Sequence, residues 1–256
     1  MSNLAISTGG RQFANAIFPL IIEKILSRIV TEYEGLRFMG IINMGPPQDL
    51  ILAAKQLIGA NVFVETGTFR GDTTKWASQH FSRVVTIEAS LDFYRKAVER
   101  FSSQENVTVL HGSSRDCLRD VVDALDETAV FWLDAHWSGG ETYGDTDECP
   151  VLDEISLIMN NDLQNSIFID DARLFFSPPP LPHDLLQWPE IGTIIVSLKP
   201  IHNYVTVFED VIISIPQSSK TEFSRLLQQK NTSNWNAQTK PWLYKLATKL
   251  ARKLRG

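Results

Sequence analysis

Two apolar runs in this 256-residue chain end in acids. Phe131-Trp132-Leu133 runs directly into Asp134-Ala135-His136-Trp137, and Ile167-Phe168-Ile169 into Asp170-Asp171. Carboxylates leaving neighbouring strands at one edge repel each other and raise one another's pKa values. A divalent cation removes that cost, and Mg²⁺ favours a few carboxylates together with water and substrate oxygens. Such an ion can bind a hydroxyl, lower its pKa and hold it in line for attack. A divalent ion can therefore sit among Asp134, Asp170 and Asp171. The alternative is that Asp134 orients its loop while Asp170 and Asp171 cap the next helix or pair with Arg173. His136 is the expected general base, since an imidazole titrates near working pH. Asp134 joins it in the catalytic set, and His183 is the second candidate.

A second constellation lies upstream. Glu65-Thr66-Gly67-Thr68-Phe69-Arg70-Gly71 follows the apolar run 61–64, and Thr73 stands just beyond it. Gly67 and Gly71 permit positive φ and close approach of a ligand to the backbone. Glu88 ends the next apolar run, about twenty residues on, where an acid can accept hydrogen bonds from both ribose hydroxyls. Gly112-Ser113-Ser114-Arg115 follows the third run and suits the edge of an adenine. The plainer reading is a tight turn at the glycines and a helix cap at Glu88. Together these features predict an adenosine-containing ligand. A dinucleotide site wants Gly-x-Gly-x-x-Gly for its pyrophosphate. This loop begins with an acid and lacks that triplet, which suits a cationic, phosphate-free ligand.

The elements that must position these residues follow a simple alternation. Apolar runs at 61–64, 84–87, 107–110, 129–133 and 166–169 lack strict period-2 patterning, as strands buried on both faces do. Segments 73–80, 91–101, 114–125 and 150–160 between them read as helices, so crossover units and a parallel sheet are predicted. Segment 191–198 reads as a helix. Segments 204–208 and 211–215, joined by Glu209-Asp210, read as an antiparallel hairpin. The predicted fold is an α/β, Rossmann-like, mostly parallel seven-stranded sheet with a C-terminal antiparallel hairpin and helices on both faces. The predicted organisation is a helical extension over 1–60, with helices within 18–39 and 48–58, a ligand-binding domain over 61–216 and a helical tail over 217–256.

Val64 to Thr74 resembles the first motif of class I S-adenosylmethionine-dependent methyltransferases. It resembles in particular the small metal-dependent O-methyltransferases of the catechol and caffeoyl-CoA type, which carry Glu-x-Gly-x-aromatic-x-Gly here. Val85-Thr86-Ile87-Glu88 resembles their second motif and Val109 to Ser114 their third. The aspartate after the fourth strand and the Asp-Asp pair after the fifth also resemble the macrocin O-methyltransferases, which modify sugars. The resemblance implies S-adenosylmethionine as cofactor, Mg²⁺ or a similar ion on Asp134, Asp170 and Asp171, and a small-molecule or sugar hydroxyl as acceptor. It places Glu65 and Gly67 near the methionine part, Glu88 on the ribose, and Ser114 with Arg115 at the adenine. Thr68, Phe69, Gly71, Thr73, Gly112, Ser113 and Asp134 complete the implied cofactor set. The catechol enzymes continue Asp-His-Trp-Lys, with the lysine as base. This chain has Asp134-Ala135-His136-Trp137-Ser138, one residue longer and without lysine, which moves the base to His136.

Composition narrows the alternatives. A net charge of −6 argues against a general nucleic-acid binder. Two cysteines, Cys117 and Cys149, in no metal-ligand spacing fit a reducing, cytoplasmic setting. The run 16–22 is too short to cross a bilayer. Segments 138–145, rich in glycine, and 175–188, with four prolines, are expected to shape the acceptor pocket, the latter as a lid. Residues 240–256 carry Trp242 and leucines at helical spacing among six basic residues. That helix can lie on an anionic membrane, or pack on the domain or on a second copy in a homodimer. Two other functions remain open: an inactive methyltransferase-like binding module, and an NAD-dependent oxidoreductase.

Overall fold

A computed structural model of the chain describes residues 45–137, 148–199 and 201–238. The helix expected within 18–39, the glycine-rich segment 138–145 and the basic segment 240–256 lie outside the described residues. The chain divides into two compact units, Ile42–Leu226 and Met1–Ile41 with Leu227–Gly256. The sheet and its helices belong to the first.

In chain order that unit runs α1 (Gln48–Ile58), β1 (Val62–Thr66), α2 (Asp72–Ser78), β2 (Arg83–Glu88), α3 (Leu91–Phe101), β3 (Val107–His111), α4 (Ser114–Asp123) and β4 (Ala129–Leu133). It continues with α5 (Val151–Met159), β5 (Ser166–Ile169), α6 (Arg173–Phe176), α7 (Ile191–Ser197), β6 (Asn203–Phe208) and β7 (Val211–Pro216). A last helix begins at Lys220. The predicted strands and crossover helices all form, with boundaries shifted by two residues at most.

The sheet has the order β3-β2-β1-β4-β5-β7-β6. β3 through β5 are parallel. β7 runs antiparallel to both β5 and β6, so the predicted hairpin closes the sheet with its second strand inside. The chain passes from β6 to β7 through Glu209, whose φ of 54° is in the left-handed region, and Asp210.

The apolar runs lack alternation because both faces of these strands are covered. On one face Val62, Val64, Phe131, Leu133, Ile167 and Ile169 pack in one cluster with Leu118 and Val122 of α4 and Val151, Ile155 and Ile158 of α5. On the other, Phe63 sets its ring against Trp76 of α2 and against Phe81. α1 lies against β4 and β5, with Leu50, Ile51 and Ala54 fully buried. It starts after Pro46-Pro47 and ends at Gly59, whose left-handed φ of 67° lets its N–H bond back to the Lys55 carbonyl.

α1 therefore contributes to the core although it precedes the segment 61–216. We expect Leu50→Ala to lower the unfolding free energy by about 2–5 kcal/mol, the usual range for a fully buried leucine. Urea denaturation followed by circular dichroism reads it. A loss under about 0.5 kcal/mol would show that α1 is dispensable to the core.

Candidate active site

The register decides which residues meet at the carboxyl edge. Thr66 pairs with Leu133, and Leu133 with Ile169. The next residues, Gly67, Asp134 and Asp170, therefore stand side by side. The Asp134 N–H donates to the Thr66 carbonyl at 3.1 Å, and the Asp170 N–H to the Leu133 carbonyl at 3.1 Å. The turn after β1 and the turn after β4 touch at Gly67. A Cβ there, at φ 85°, would lie 2.2 Å from the Asp134 carbonyl oxygen. Gly71, at φ 75°, faces the Phe101 ring in the same way. Both glycines have the positive φ expected. The space where their side chains would be is filled by protein, so close packing of loop on loop explains them.

Glu65 is 1% exposed on β1. Its carboxylate accepts from the hydroxyls of Thr74 and of Thr86, the latter at 2.7 Å, and Thr73 also hydrogen bonds to it. Thr86 is its lateral neighbour on β2. Burial, with the charge of Glu88, outweighs these hydroxyls and pushes the Glu65 pKa up to about 7. Among the described residues no basic side chain pairs with it. Glu88, at the end of β2, is buried and ties two turns together. It accepts from the Phe69 N–H at 2.7 Å and from the Ser90 N–H at 2.8 Å. Thr68 is buried and its hydroxyl meets that of Thr86 at 2.6 Å. Phe69 is exposed, with its ring against Phe93.

After β3, Gly112 leads to Ser113, whose hydroxyl caps α4 by accepting from the Arg115 N–H at 3.2 Å. Ser114 is buried, and its hydroxyl, like that of Thr66, hydrogen bonds to Glu154. Arg115 pairs with Asp153. Glu154 went unnoticed in the sequence. It is 1% exposed on the apolar face of α5, beside Val151, Ile155 and Ile158. An acid on an otherwise apolar helix face was the available signal. Burial raises its pKa despite the hydroxyls of Ser114 and Thr66.

The acids expected to bind metal do converge. Burial raises the Asp134 carboxyl well above its ordinary range; His136 opposes this, while Asp170, Asp171 and Glu65 add to it. Burial and the neighbouring Asp171 push Asp170 up to about 6. Asp171 behaves differently. Burial works to raise it, yet the hydrogen bond and charge of His136, with the charge of Arg173, hold it below the usual range. His136 Nε2 lies 2.7 Å from Asp171 Oδ2, and Arg173 pairs with Asp171 Oδ1. His136 Nδ1 is 3.9 Å from Asp134 Oδ1. Burial lowers the imidazole pKa, but the hydrogen bond to Asp171 and the surrounding carboxylates raise it overall.

The metal ligand set expected from the sequence does not fit this arrangement. Among the described residues, no group of three or more His, Cys, Asp or Glu side chains is placed to hold a metal ion. Each oxygen of Asp171 already has a partner. Pairing with Arg173, one half of the alternative reading, is what the structure has. Capping is not, since α6 has no side-chain cap.

Segment 175–188 is fastened to the residues after β4. Glu148, 2% exposed, accepts from Trp188 Nε1 at 2.6 Å and from the Asp184 N–H at 2.9 Å, and lies 3.1 Å from His183 Nδ1. Burial raises its pKa, but these bonds outweigh burial and bring the carboxyl below its usual range. Trp188 meets His136 edge to face, with ring centroids 5.6 Å apart. His183 thus belongs to a Glu148-centred network, at one remove from Asp134.

The mostly parallel sheet with its closing hairpin is the architecture that the alternation of apolar runs and helical segments predicted. No family model matches the chain, and no curated protein matches it. Among solved structures it is similar to an O-methyltransferase from Bacillus cereus in complex with SAH, at 18% identity over 77% of this chain and 90% of that one, TM-score 0.47. It is also similar to the O-methyltransferase TomG from Streptomyces achromogenes in complex with SAM, at 14% identity over 76% and 89%, TM-score 0.46. The SAH-bound methyltransferase PaMTH1 from Podospora anserina is similar at 14% identity over 85% and 100%, TM-score 0.45. No described helix is long and apolar enough to cross a membrane.

The contact at Gly67 generates a prediction. Gly67→Ala forces a Cβ against the Asp134 carbonyl at an unfavourable φ, so we expect a stability loss of about 2 kcal/mol or more. Thermal denaturation checks it. An unchanged midpoint would mean that the two turns separate freely.

Proposed function

We propose that this protein is an S-adenosylmethionine-dependent methyltransferase acting on a hydroxyl of a small molecule or sugar. Glu65 carries the reading. An acid buried at the strand edge, caged by threonine hydroxyls and with no basic partner among the described residues, suits a cationic ligand. An NAD-dependent oxidoreductase would put a pyrophosphate at the start of α2, next to Asp72 and above Glu65, where both acids oppose it. The lone pairs that Glu88 keeps beyond its two backbone hydrogen bonds suit ribose hydroxyls, and the turn Gly112 to Ser114 suits the adenine. With the Ser114 hydroxyl directed to Glu154, adenine contact there falls to the backbone of the turn.

When bound, S-adenosylmethionine supplies an electrophilic methyl group on a sulfonium. Asp134, whose side chain is 33% exposed against 4% for His136, meets the acceptor and takes the proton that its hydroxyl loses as the oxygen is methylated. The raised pKa of Asp134 matches that task better than an ordinary carboxylate. His136 stands behind it, held by Asp171, and compensates the charge that changes on Asp134.

Cofactor binding is expected to depend on pH with a definite sign. In the free protein Glu65 holds a proton up to about pH 7. A cationic ligand favours the carboxylate, so binding below that pH must expel the proton. Affinity should rise through about pH 7, by at most tenfold per unit below it, and then level off. Glu65→Gln should bind more weakly and lose this dependence, which separates it from titration of the ligand's own amine at about 7.7–8.0. Calorimetry with S-adenosylmethionine reads both. No binding to the folded protein at about millimolar cofactor, a Kd equivalent of roughly −4 kcal/mol, would sink the methyltransferase reading.

A further inference from the structure

We infer that Arg173 is the built-in counter-cation of the strand-end carboxylates, and that it closes Asp171 to a divalent metal ion. Asp210, in the turn between β6 and β7, accepts from the Arg173 backbone N–H at 2.9 Å through one carboxylate oxygen and from the Arg173 guanidinium through the other. The Asp210 carbonyl accepts from the Ala172 N–H at 2.8 Å. Asp210 is 6% exposed. The hairpin turn thus grips both the backbone and the side chain of Arg173 and points its guanidinium at Asp171.

Each oxygen of Asp171 then has a partner. Oδ1 accepts from Arg173, and Oδ2 faces His136 Nε2 at 2.7 Å. Its backbone sits at φ 55°, in the left-handed region, and its N–H donates to Asp170 Oδ1 at 2.8 Å. A divalent ion ligated by Asp171 would have to compete with two charge-assisted hydrogen bonds and sit against a fixed guanidinium. The Arg173 side chain is 42% exposed, so solvent weakens this competition without removing it. The consequence is an Asp171 whose charge is balanced from within. Arg173 acts on the reacting groups only through Asp171 and His136, as a positioning residue.

Cation binding is read without cofactor or acceptor, so its outcome is independent of the methyltransferase reading. The full chain is titrated with Mn²⁺ and free ion is followed by electron paramagnetic resonance. The wild type should bind in about the millimolar range or weaker. Arg173→Met should bind at least about tenfold tighter, and adding Asp171→Asn to it should abolish the gain. Circular dichroism checks folding. Should Arg173→Met not fold, Arg173→Gln replaces it, because a neutral amide removes the charge beside Asp171 and can still donate to Asp210. Wild-type binding in about the micromolar range that falls with Asp171→Asn overturns the inference. So does a folded Arg173 variant with no gain.

Discussion

Glu65, Asp134, Asp170 and Asp171 act on one another electrostatically at a single edge of the sheet, with His136 among them. A parallel sheet makes such crowding inevitable when strands end in acids, because every strand leaves toward the same side. Charge at this edge then sorts its members. Asp171 gains partners and ionises more readily, whereas Glu65 and Asp170 gain too few and hold protons to about 7 and about 6. Compensated acids can only hold position. Under-compensated ones are where a positively charged ligand or a migrating proton fits best.

That sorting relies on loops that fix one another. Gly67 lets the turn after β1 lie directly on the turn after β4, and Glu88 joins the backbone at Phe69 to the backbone at Ser90. The Asp210 turn holds Arg173, and Glu148 holds segment 183–188. Each junction uses a carboxylate or a bare glycine where an ordinary side chain would separate the loops. The charges are thereby kept close without collapsing into simple ion pairs.

Much of this was legible in the sequence, for physical reasons. Runs such as Phe131–Leu133 lie between two layers of side chains, so they lack alternation and stand out as parallel strands. Once the strands are known, the acids that end them must share an edge, and Glu65, Glu88, Asp134, Asp170 and Asp171 follow. What stayed hidden depends on contacts between distant segments. No local pattern says that Asp210 reaches back to Arg173, that Glu148 gathers His183 and Trp188, or that Ser114 turns its hydroxyl inward to Glu154. The spacing of Gly67 and Gly71 signalled positive φ correctly. It could not say whether ligand or protein fills the space beside them.

Segment 175–188 shows how such contacts change a functional reading. Four prolines in the sequence suggest a stiff lid, but stiffness alone leaves open whether the segment moves. Glu148 draws on Trp188, Asp184 and His183 together, and Trp188 is 8% exposed with its ring against His136 and Phe175. Releasing the segment would strand a buried carboxylate and a buried indole N–H, each costly without a partner. The stretch is therefore a fixed wall beside His136. Together with Asp171, that wall confines the imidazole, which is why the proposed methyl transfer assigns the proton to a carboxylate oxygen of Asp134.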